Sequence, residues 1–127
     1  MQLALLPREL TLDAVLAELQ RRRGAVNGIT ARDLVFVITG RVSSADERKL
    51  RDVIVKLRMD GHAICAHPAL GYHFAATASE LNDACVFLVQ RAHTSLRQAA
   101  AMNHVALPDL YGQLGLIPPS TTEEPSE

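Results

Sequence analysis

Histidine and cysteine are the residue types with the widest chemistry in this sequence, and three of them fall in one short stretch. The segment HAICAHPALGYHF contains Cys65, His67 and His73. If it forms two paired strands, Cys65 and His67 share one face and His73 lies on the facing strand. Structural zinc takes four protein ligands, and no fourth is evident. We therefore predict no metal site, and we expect these histidines to cap, to pack or to contact phosphate.

The other polar residues do not form a catalytic pattern. The sequence has neither a glycine-rich phosphate loop nor a nucleophile elbow, and its acidic residues are scattered along expected helix surfaces. Cys65 and Cys85 stand in apolar surroundings without CxxC spacing, which indicates buried, reduced thiols. We predict a protein that is not an enzyme and uses no cofactor.

Basic residues are concentrated in one part of the chain. The formal net charge of the 127 residues is -1, which by itself disfavours a nucleic-acid partner. Between Arg21 and Arg58, however, ten Lys and Arg stand against four acids, whereas from Met59 onward two stand against seven. This local excess predicts a positive surface in the first half of the chain. Ordinary solvated helix faces are the plainer alternative.

Apolar spacing and capping residues predict two helices near the start. The first covers residues 10–23, with Thr11 as its cap and Gly24 as its end. The second, ARDLVFVIT, is capped by Thr30 and ended by Gly40. Its β-branched run LVFVI would also suit a strand, but the cap and the acidic first turn favour a helix.

A third helix has the strongest periodicity. Ser43 or Ser44 caps it, with Glu47 at capping-box spacing from Ser44, and it continues to Gly61. One face carries the apolar residues Leu50, Val53, Ile54 and Leu57. The opposite face carries the basic residues Arg48, Lys49, Arg51, Lys56 and Arg58.

A β-hairpin and a long helix are expected next. Alternating residues on both sides of a bend at Pro68 and Gly71 predict two short strands. Ser79 then opens a helix that ends near Met102. Its apolar positions repeat at nearly 3.5 residues and form a seam: Leu81, Cys85, Leu88, Ala92, Leu96 and Ala99. A break at Pro108 and one further turn near residues 110–114 follow.

These elements predict a mainly α fold with a small β-hairpin, organised as a winged helix-turn-helix followed by a long C-terminal helix. The expected parts are an N-terminal lead (1–9), the winged helix-turn-helix (10–76), a helical extension for packing or dimerisation (77–117) and a disordered acidic tail (118–127). No apolar stretch is long enough to cross a membrane, and the start lacks a signal-peptide pattern. We expect a cytoplasmic protein that has no membrane partner.

The segments ITARDL, LRDVIVKLRMDGHAI and GYHFA resemble the winged-helix module at the amino end of biotin-repressor-type regulators and small phage-encoded helix-turn-helix proteins. The resemblance covers roughly residues 10–76 and implies DNA binding in the control of transcription or replication. In that family, polar or basic residues open the third helix. The matching positions here are Asp46, Glu47, Arg48 and Lys49, of which the two acids depart from the pattern.

The expected partner is double-stranded DNA. The residues predicted to contact it are Arg41, Ser43, Ser44, Arg48, Lys49, Arg51, Lys56 and Arg58, with His67 and His73 of the hairpin. The seam of the long helix predicts a homodimer, unless that helix packs onto the first helix of its own chain. The alternative function is a winged-helix protein-interaction module, such as a phage-encoded inhibitor or adaptor of a host protein complex.

Overall fold

The computed structural model describes residues 8–115. The elements, in chain order, are α1 (Leu12–Gln20), α2 (Ala31–Thr39), α3 (Ser44–Met59), β1 (Ile64–His67), β2 (Gly71–Phe74), α4 (Ala78–Met102) and α5 (Leu107–Leu114), with a short 3-10 turn at Ala25–Asn27. The expected class, a mainly helical fold with a small β-hairpin and a long helix near the C-terminal end, is confirmed. The chain divides into two compact units between Cys85 and Val86. The acidic tail predicted at 118–127 lies outside the described residues.

Local signals set the ends of α1 and α2. The Thr11 hydroxyl accepts a hydrogen bond from the Ala14 N–H at 3.1 Å, and the Thr30 hydroxyl accepts one from the Asp33 N–H at 3.2 Å. These are N-cap contacts, which satisfy donors that have no partner within the helix. α2 ends at Gly40, whose φ of 80° is left-handed. The run LVFVI is therefore helical, as predicted, whereas α1 stops at Gln20, before the expected end.

The core of the first unit is formed by the inward sides of α1, α2 and α3. Leu50, Val53, Ile54 and Leu57 are the buried residues of α3, as their spacing predicts. They belong to one cluster with buried residues of the other helices, including Val15, Leu19, Leu34 and Val35. Burial of each large aliphatic side chain contributes about 1.5–3 kcal/mol. This packing fixes the rotation of α3 about its axis and leaves its other side in solvent.

The β-hairpin is tied to the connection between α1 and α2. β1 and β2 pair antiparallel. On its other edge, β2 exchanges two hydrogen bonds with Ile29: the Tyr72 N–H donates to the Ile29 carbonyl at 2.7 Å, and the Ile29 N–H donates to the Tyr72 carbonyl at 2.9 Å. The Phe74 N–H also donates to the Arg22 carbonyl at 2.8 Å. β2 is thus paired on both edges.

Two glycines allow the tip of the hairpin to approach this connection closely. Gly71 ends a three-residue turn with a left-handed φ of 87°. A Cβ atom at Gly71 would lie 2.1 Å from the Ile29 carbonyl oxygen, and one at Gly28 would lie 2.4 Å from the Leu70 carbonyl oxygen. The tip therefore rests on residues 28–30.

The second unit is built from the later part of α4 and from α5. Leu110 and Tyr111 of α5 are buried, and the Tyr111 hydroxyl lies 3.2 Å from His93 Nδ1 on α4. Pro108 occupies the first turn of α5, where its missing N–H leaves no helix bond unmade. α4 ends at Met102, before Pro108, and α5, with eight residues, is longer than the single turn predicted near residues 110–114.

Candidate nucleic-acid interface

Four of the basic residues predicted to contact DNA lie on the solvent side of α3. Arg48, Lys49, Arg51 and Lys56 are exposed. The ion pairs found within residues 8–115 involve none of the four. A cationic head group that has no carboxylate partner can meet a phosphate without first breaking an ion pair. The structure therefore presents four available positive charges on one helix.

The start of α3 differs in detail from the capping-box interpretation. Ser43 is the N-cap, because its Oγ accepts a hydrogen bond from the Asp46 N–H at 3.1 Å. Ser44 is the first residue of the helix and is exposed, so the Ser44–Glu47 capping box is wrong by one position. The Arg41 guanidinium donates to the Asp46 carboxylate at 3.1 Å. Arg41 would have to exchange this partner for a phosphate.

The two acids at the start of α3 do not lie on the most exposed side of the helix. Asp46 and Glu47 are only half exposed, and Asp46 is neutralised by Arg41. Residues three and four apart share a side of a helix, and the row that faces away from the core is mixed in character: Arg48, Asp52, Val55 and Met59. Val55 is 55% exposed and Met59 is 82% exposed. The basic residues flank a partly apolar row.

Arg58 joins α3 to the hairpin. Its Nε donates to the Ile64 carbonyl at 2.8 Å, and the residue is half-buried. This contact holds the end of α3 against the start of β1. Arg58 therefore has a positioning role in the fold, and its predicted contact with DNA remains a prediction.

The two hairpin histidines have different environments. His67 is exposed, and its Nδ1 accepts hydrogen bonds from the N–H groups of Ala69 at 3.0 Å and Leu70 at 3.1 Å. His73 is only 3% exposed, because strand alternation turns it inward. The prediction that His73 contacts DNA is therefore not compatible with its position, because a buried imidazole cannot reach a phosphate in this fold. His67 remains a candidate, with its Nδ1 occupied by the turn.

Glu80, in the first turn of α4, holds three parts of the first unit together. Its carboxylate accepts hydrogen bonds from the Ala76 N–H at 2.8 Å and the Ala25 N–H at 3.2 Å, and it lies 3.8 Å from His73 Nδ1. These backbone donors lower the pKa of Glu80. Nothing in the sequence distinguishes Glu80 from an ordinary first-turn acid, which normally signals only a helix start.

The two cysteines also differ. Cys65 is buried and donates from Sγ to the Glu80 carbonyl at 3.7 Å; burial, followed by the negative charge of Glu80, raises the pKa of its thiol. Cys85 is exposed, which corrects the expectation that both thiols are buried.

Arg32 is a further exposed cation that was not among the residues predicted to contact DNA. It follows the Thr30 cap in the first turn of α2, is exposed, and is in none of the ion pairs found within residues 8–115. Its position in the sequence could have identified it, because Arg32 lies two residues after the Thr30 cap, where a positive charge does not complement the helix dipole. Arg32 is thus an available cation on α2, in addition to the four on α3.

Neither a metal-binding group nor a membrane-spanning helix is found in the part of the chain that the structure describes. Within residues 8–115, His, Cys, Asp and Glu side chains nowhere gather in a group of three that could hold a metal ion. Over the same residues, no helix combines the length and the apolar character needed to cross a bilayer.

The seam predicted on the long helix is largely open. Leu81 is 41% exposed and Leu88 is 39% exposed, and Cys85 and Ala92 are exposed as well. Leu96 and Ala99 are half-buried. The seam therefore offers apolar surface to a partner.

No protein-family model matches the chain, and searches of curated proteins and of solved structures found no match either.

Proposed function

We propose that the protein binds duplex DNA through the exposed side of α3. The observation that carries this proposal is the set of available cations on that side: Arg48, Lys49, Arg51 and Lys56. Each phosphate that a cation neutralises releases counterions, and this supplies most of the affinity for DNA of any sequence. An α-helix fits the B-DNA major groove, so α3 is the element best placed to enter it.

The surrounding elements support this use of α3. Three helices followed by a hairpin are the order of a winged helix-turn-helix, in which the third helix reads DNA and the hairpin contacts the backbone. The short hairpin here rests on residues 28–30, and its tip, residues 68–70, carries no formal charge. We therefore assign most of the affinity to α3 and a minor share to His67.

The proposed role is a phage or bacterial regulator of transcription or replication that works in the cytoplasm. It rests on the sequence resemblance together with the cations of α3. A regulator needs discrimination between sequences as well as affinity. Selection of bound fragments from random duplexes tests this part: enrichment of one motif supports a regulator, and unenriched binding supports a sequence-independent role.

A salt titration tests DNA binding directly. For wild type, the logarithm of the affinity for a fluorescent duplex should fall linearly with the logarithm of salt concentration between about 50 and 200 mM. Replacing Arg48 and Arg51 by glutamine should reduce the slope by about 1.8, at about 0.9 per phosphate contact. The matched control replaces Arg8 and Arg97 by glutamine: both are exposed and take part in none of the ion pairs found within residues 8–115, and the net-charge change is the same.

The two double variants separate a local contact from a general effect of charge. The proposal requires a reduced slope for the α3 variant and a wild-type slope for the control. Equal slopes for all three proteins, or no salt-dependent binding by wild type, would show that α3 does not contact DNA.

The exposed apolar residues of the first unit favour a second candidate, a protein-interaction module that inhibits or adapts a host complex. Val55 and Met59 project from α3. Phe36 and Val37 of α2 line an open groove of about 470 Å³ together with Leu70. This candidate predicts little retention on heparin or random duplex at low salt. It also predicts that Val55→Asp and Met59→Asp abolish binding of a protein partner captured by wild type.

A further inference from the structure

α4 exposes one complete side. Numbered as a heptad, its a positions are Ala78, Cys85, Ala92 and Ala99, and its d positions are Leu81, Leu88, Ser95 and Met102. These eight residues are the α4 seam, which differs from the seam predicted from the sequence by including Ala78 and Met102 and by having Ser95 in place of the half-buried Leu96. Seven of the eight are exposed, and Ala99 is half-buried. Ala100, outside the seam, is the buried residue of this 25-residue helix. An apolar side of this length, interrupted by the polar Ser95, is typical of a helix that has a partner.

Side-chain size along the α4 seam alternates in a regular way. The a positions are all small, and the d positions include the large residues Leu81, Leu88 and Met102. Three of the four pairs of seam positions equally far from Gln90, the midpoint of α4, combine a small residue with a larger one; the fourth pair, Cys85 and Ser95, is small on both sides. Leu88 corresponds to Ala92, and Leu81 corresponds to Ala99.

We infer that two copies of the chain associate through antiparallel α4 helices, with the two-fold axis passing near Gln90. In this arrangement each d residue faces an a residue of the other copy, so that Leu88 packs on Ala92 and Leu81 packs on Ala99. A parallel pair would set leucine against leucine, which such pairs accommodate, but it would also set alanine against alanine, and those layers would leave gaps. In the reversed pair a large residue lies beside a small one in three of the four kinds of layer, and the interface is two-fold symmetric.

The flanks of the seam are compatible with this pairing. Val89, which is 61% exposed, would meet the Val89 of the other copy close to the axis. On the other flank, Arg91 would approach its own symmetry mate, but its guanidinium already lies over the Phe87 ring of the same helix, 5.8 Å from the ring centroid. That contact draws the two positive charges away from the seam.

The area of contact sets the strength of the association. Full overlap of two 25-residue helices gives a contact about 37 Å long at 1.5 Å per residue and about 10 Å wide. The strip covers roughly 370 Å² on each helix, which is below the roughly 800 Å² per partner of standard-sized interfaces. It does span about three and a half heptads, a sufficient length for a coiled coil. We therefore expect dimers that dissociate in the micromolar range.

Sedimentation equilibrium of the full chain without DNA is the first test. Wild type should pass from monomer to dimer between about 1 and 300 μM, and Leu88→Asp should weaken association at least about tenfold because it places a charge in the contact. Thr94→Asp adds the same charge on the opposite side of α4 and should associate as wild type does. A monomeric mass for wild type throughout this range, or equal weakening by both variants, would overturn the inference.

Crosslinking tests the direction of the helices and does not depend on a variant that disturbs the seam. In the antiparallel pair Cys85 faces Ser95, so Ser95→Cys should form interchain disulfides with Cys85 under mild oxidation. The Cys85 residues of two wild-type copies would be about 15 Å apart along the axis, at 1.5 Å per residue, too far to join. Removing Cys85 from the Ser95→Cys variant should abolish the crosslink. Disulfide dimers of wild type through Cys85, or none with Ser95→Cys, would overturn the antiparallel register.

The inference stands apart from the proposed function, because none of these measurements involves DNA. A chain that dimerises without binding duplex would refute only the DNA proposal. A monomer whose duplex binding falls with salt would refute only the dimer.

Discussion

Replacing Gly71 by alanine should strongly destabilise the first unit. The residue has a φ of 87°, which costs a non-glycine residue about 1–2 kcal/mol. The new Cβ would also lie 2.1 Å from the Ile29 carbonyl oxygen, a backbone atom that cannot swing aside. Relief requires separating the hairpin from Ile29, with loss of two hydrogen bonds worth about 0.5–1.5 kcal/mol each. The sum is a loss of about 2–5 kcal/mol in the free energy of unfolding.

Substitutions at Gly40 and Gly28 allow the backbone cost and the steric cost of Gly71→Ala to be measured separately. Gly40 has a similar φ of 80°, but a Cβ there would meet nothing within 4 Å, so Gly40→Ala should cost only about 1–2 kcal/mol. Gly28 has an ordinary φ of -61°, and its Cβ would lie 2.4 Å from the Leu70 carbonyl oxygen. Gly28→Ala therefore has the steric cost without the backbone cost.

Urea unfolding followed by far-UV circular dichroism measures these differences. With a denaturant slope of about 2 kcal/mol per molar, the midpoint should fall by about 1–2.5 M for Gly71→Ala and by about 0.5–1 M for Gly40→Ala. The Gly28 and Gly71 changes together should cost less than their sum, because both displace the same hairpin tip. Equal losses for Gly71→Ala and Gly40→Ala would refute the close approach of the hairpin to Ile29.

Three further predictions concern single groups. Ser43→Ala should lower the free energy of unfolding by about 1 kcal/mol and Ser44→Ala by much less, since the Ser43 hydroxyl makes the cap; equal effects in urea titrations would contradict the cap assignment. The lowered pKa of Glu80 means that its stabilising contribution is present above its ordinary value of 4.5 and is lost as pH falls through the folded pKa. Glu80→Gln should therefore melt below wild type at pH 7, with the gap closing in acid; a gap that persists at pH 2–3 would rule out the charge as the cause. At pH 8 and low micromolar protein, iodoacetamide should modify exposed Cys85 long before buried Cys65, whose raised pKa also reduces its thiolate; peptide mass spectrometry that finds equal rates would show that Cys65 is not protected.

Local signals in the sequence account for most of the helical part of the fold. Thr11, Thr30 and Gly40 act where their residue types predict, since capping depends only on near neighbours. The inward side of α3 follows from its periodicity in the same way. The ambiguous LVFVI run was settled by its cap and acidic first turn, which outweighed its β-branched propensity.

Contacts between residues that are distant in the sequence could not be predicted from capping and periodicity. The inward orientation of His73 and the bonds of Glu80 to Ala25 and Ala76 depend on how the hairpin docks. The pairing of Arg41 with Asp46 likewise depends on the path of the chain before α3. Among the candidate site residues, exposure on α3 followed from helix periodicity, whereas the occupied states of Arg41, Arg58 and His67 could be learned only from the assembled structure.

The double pairing of β2 also constrains how the first unit can fold. Tyr72 pairs with Ile29, and α2 and α3 lie between these two residues in the sequence. The intervening chain must therefore form a closed loop before the pairing of β2 is complete. Closing a long loop costs conformational entropy and slows folding. An isolated two-stranded hairpin is marginal in water, so β1 and β2 should persist only after the three helices have assembled. The amide hydrogens of Tyr72 and Phe74, which donate to residues on the other side of this loop, should then exchange with solvent only when the whole unit opens. We therefore expect the hairpin to form last, so that slow exchange of these two amides indicates a fully folded unit.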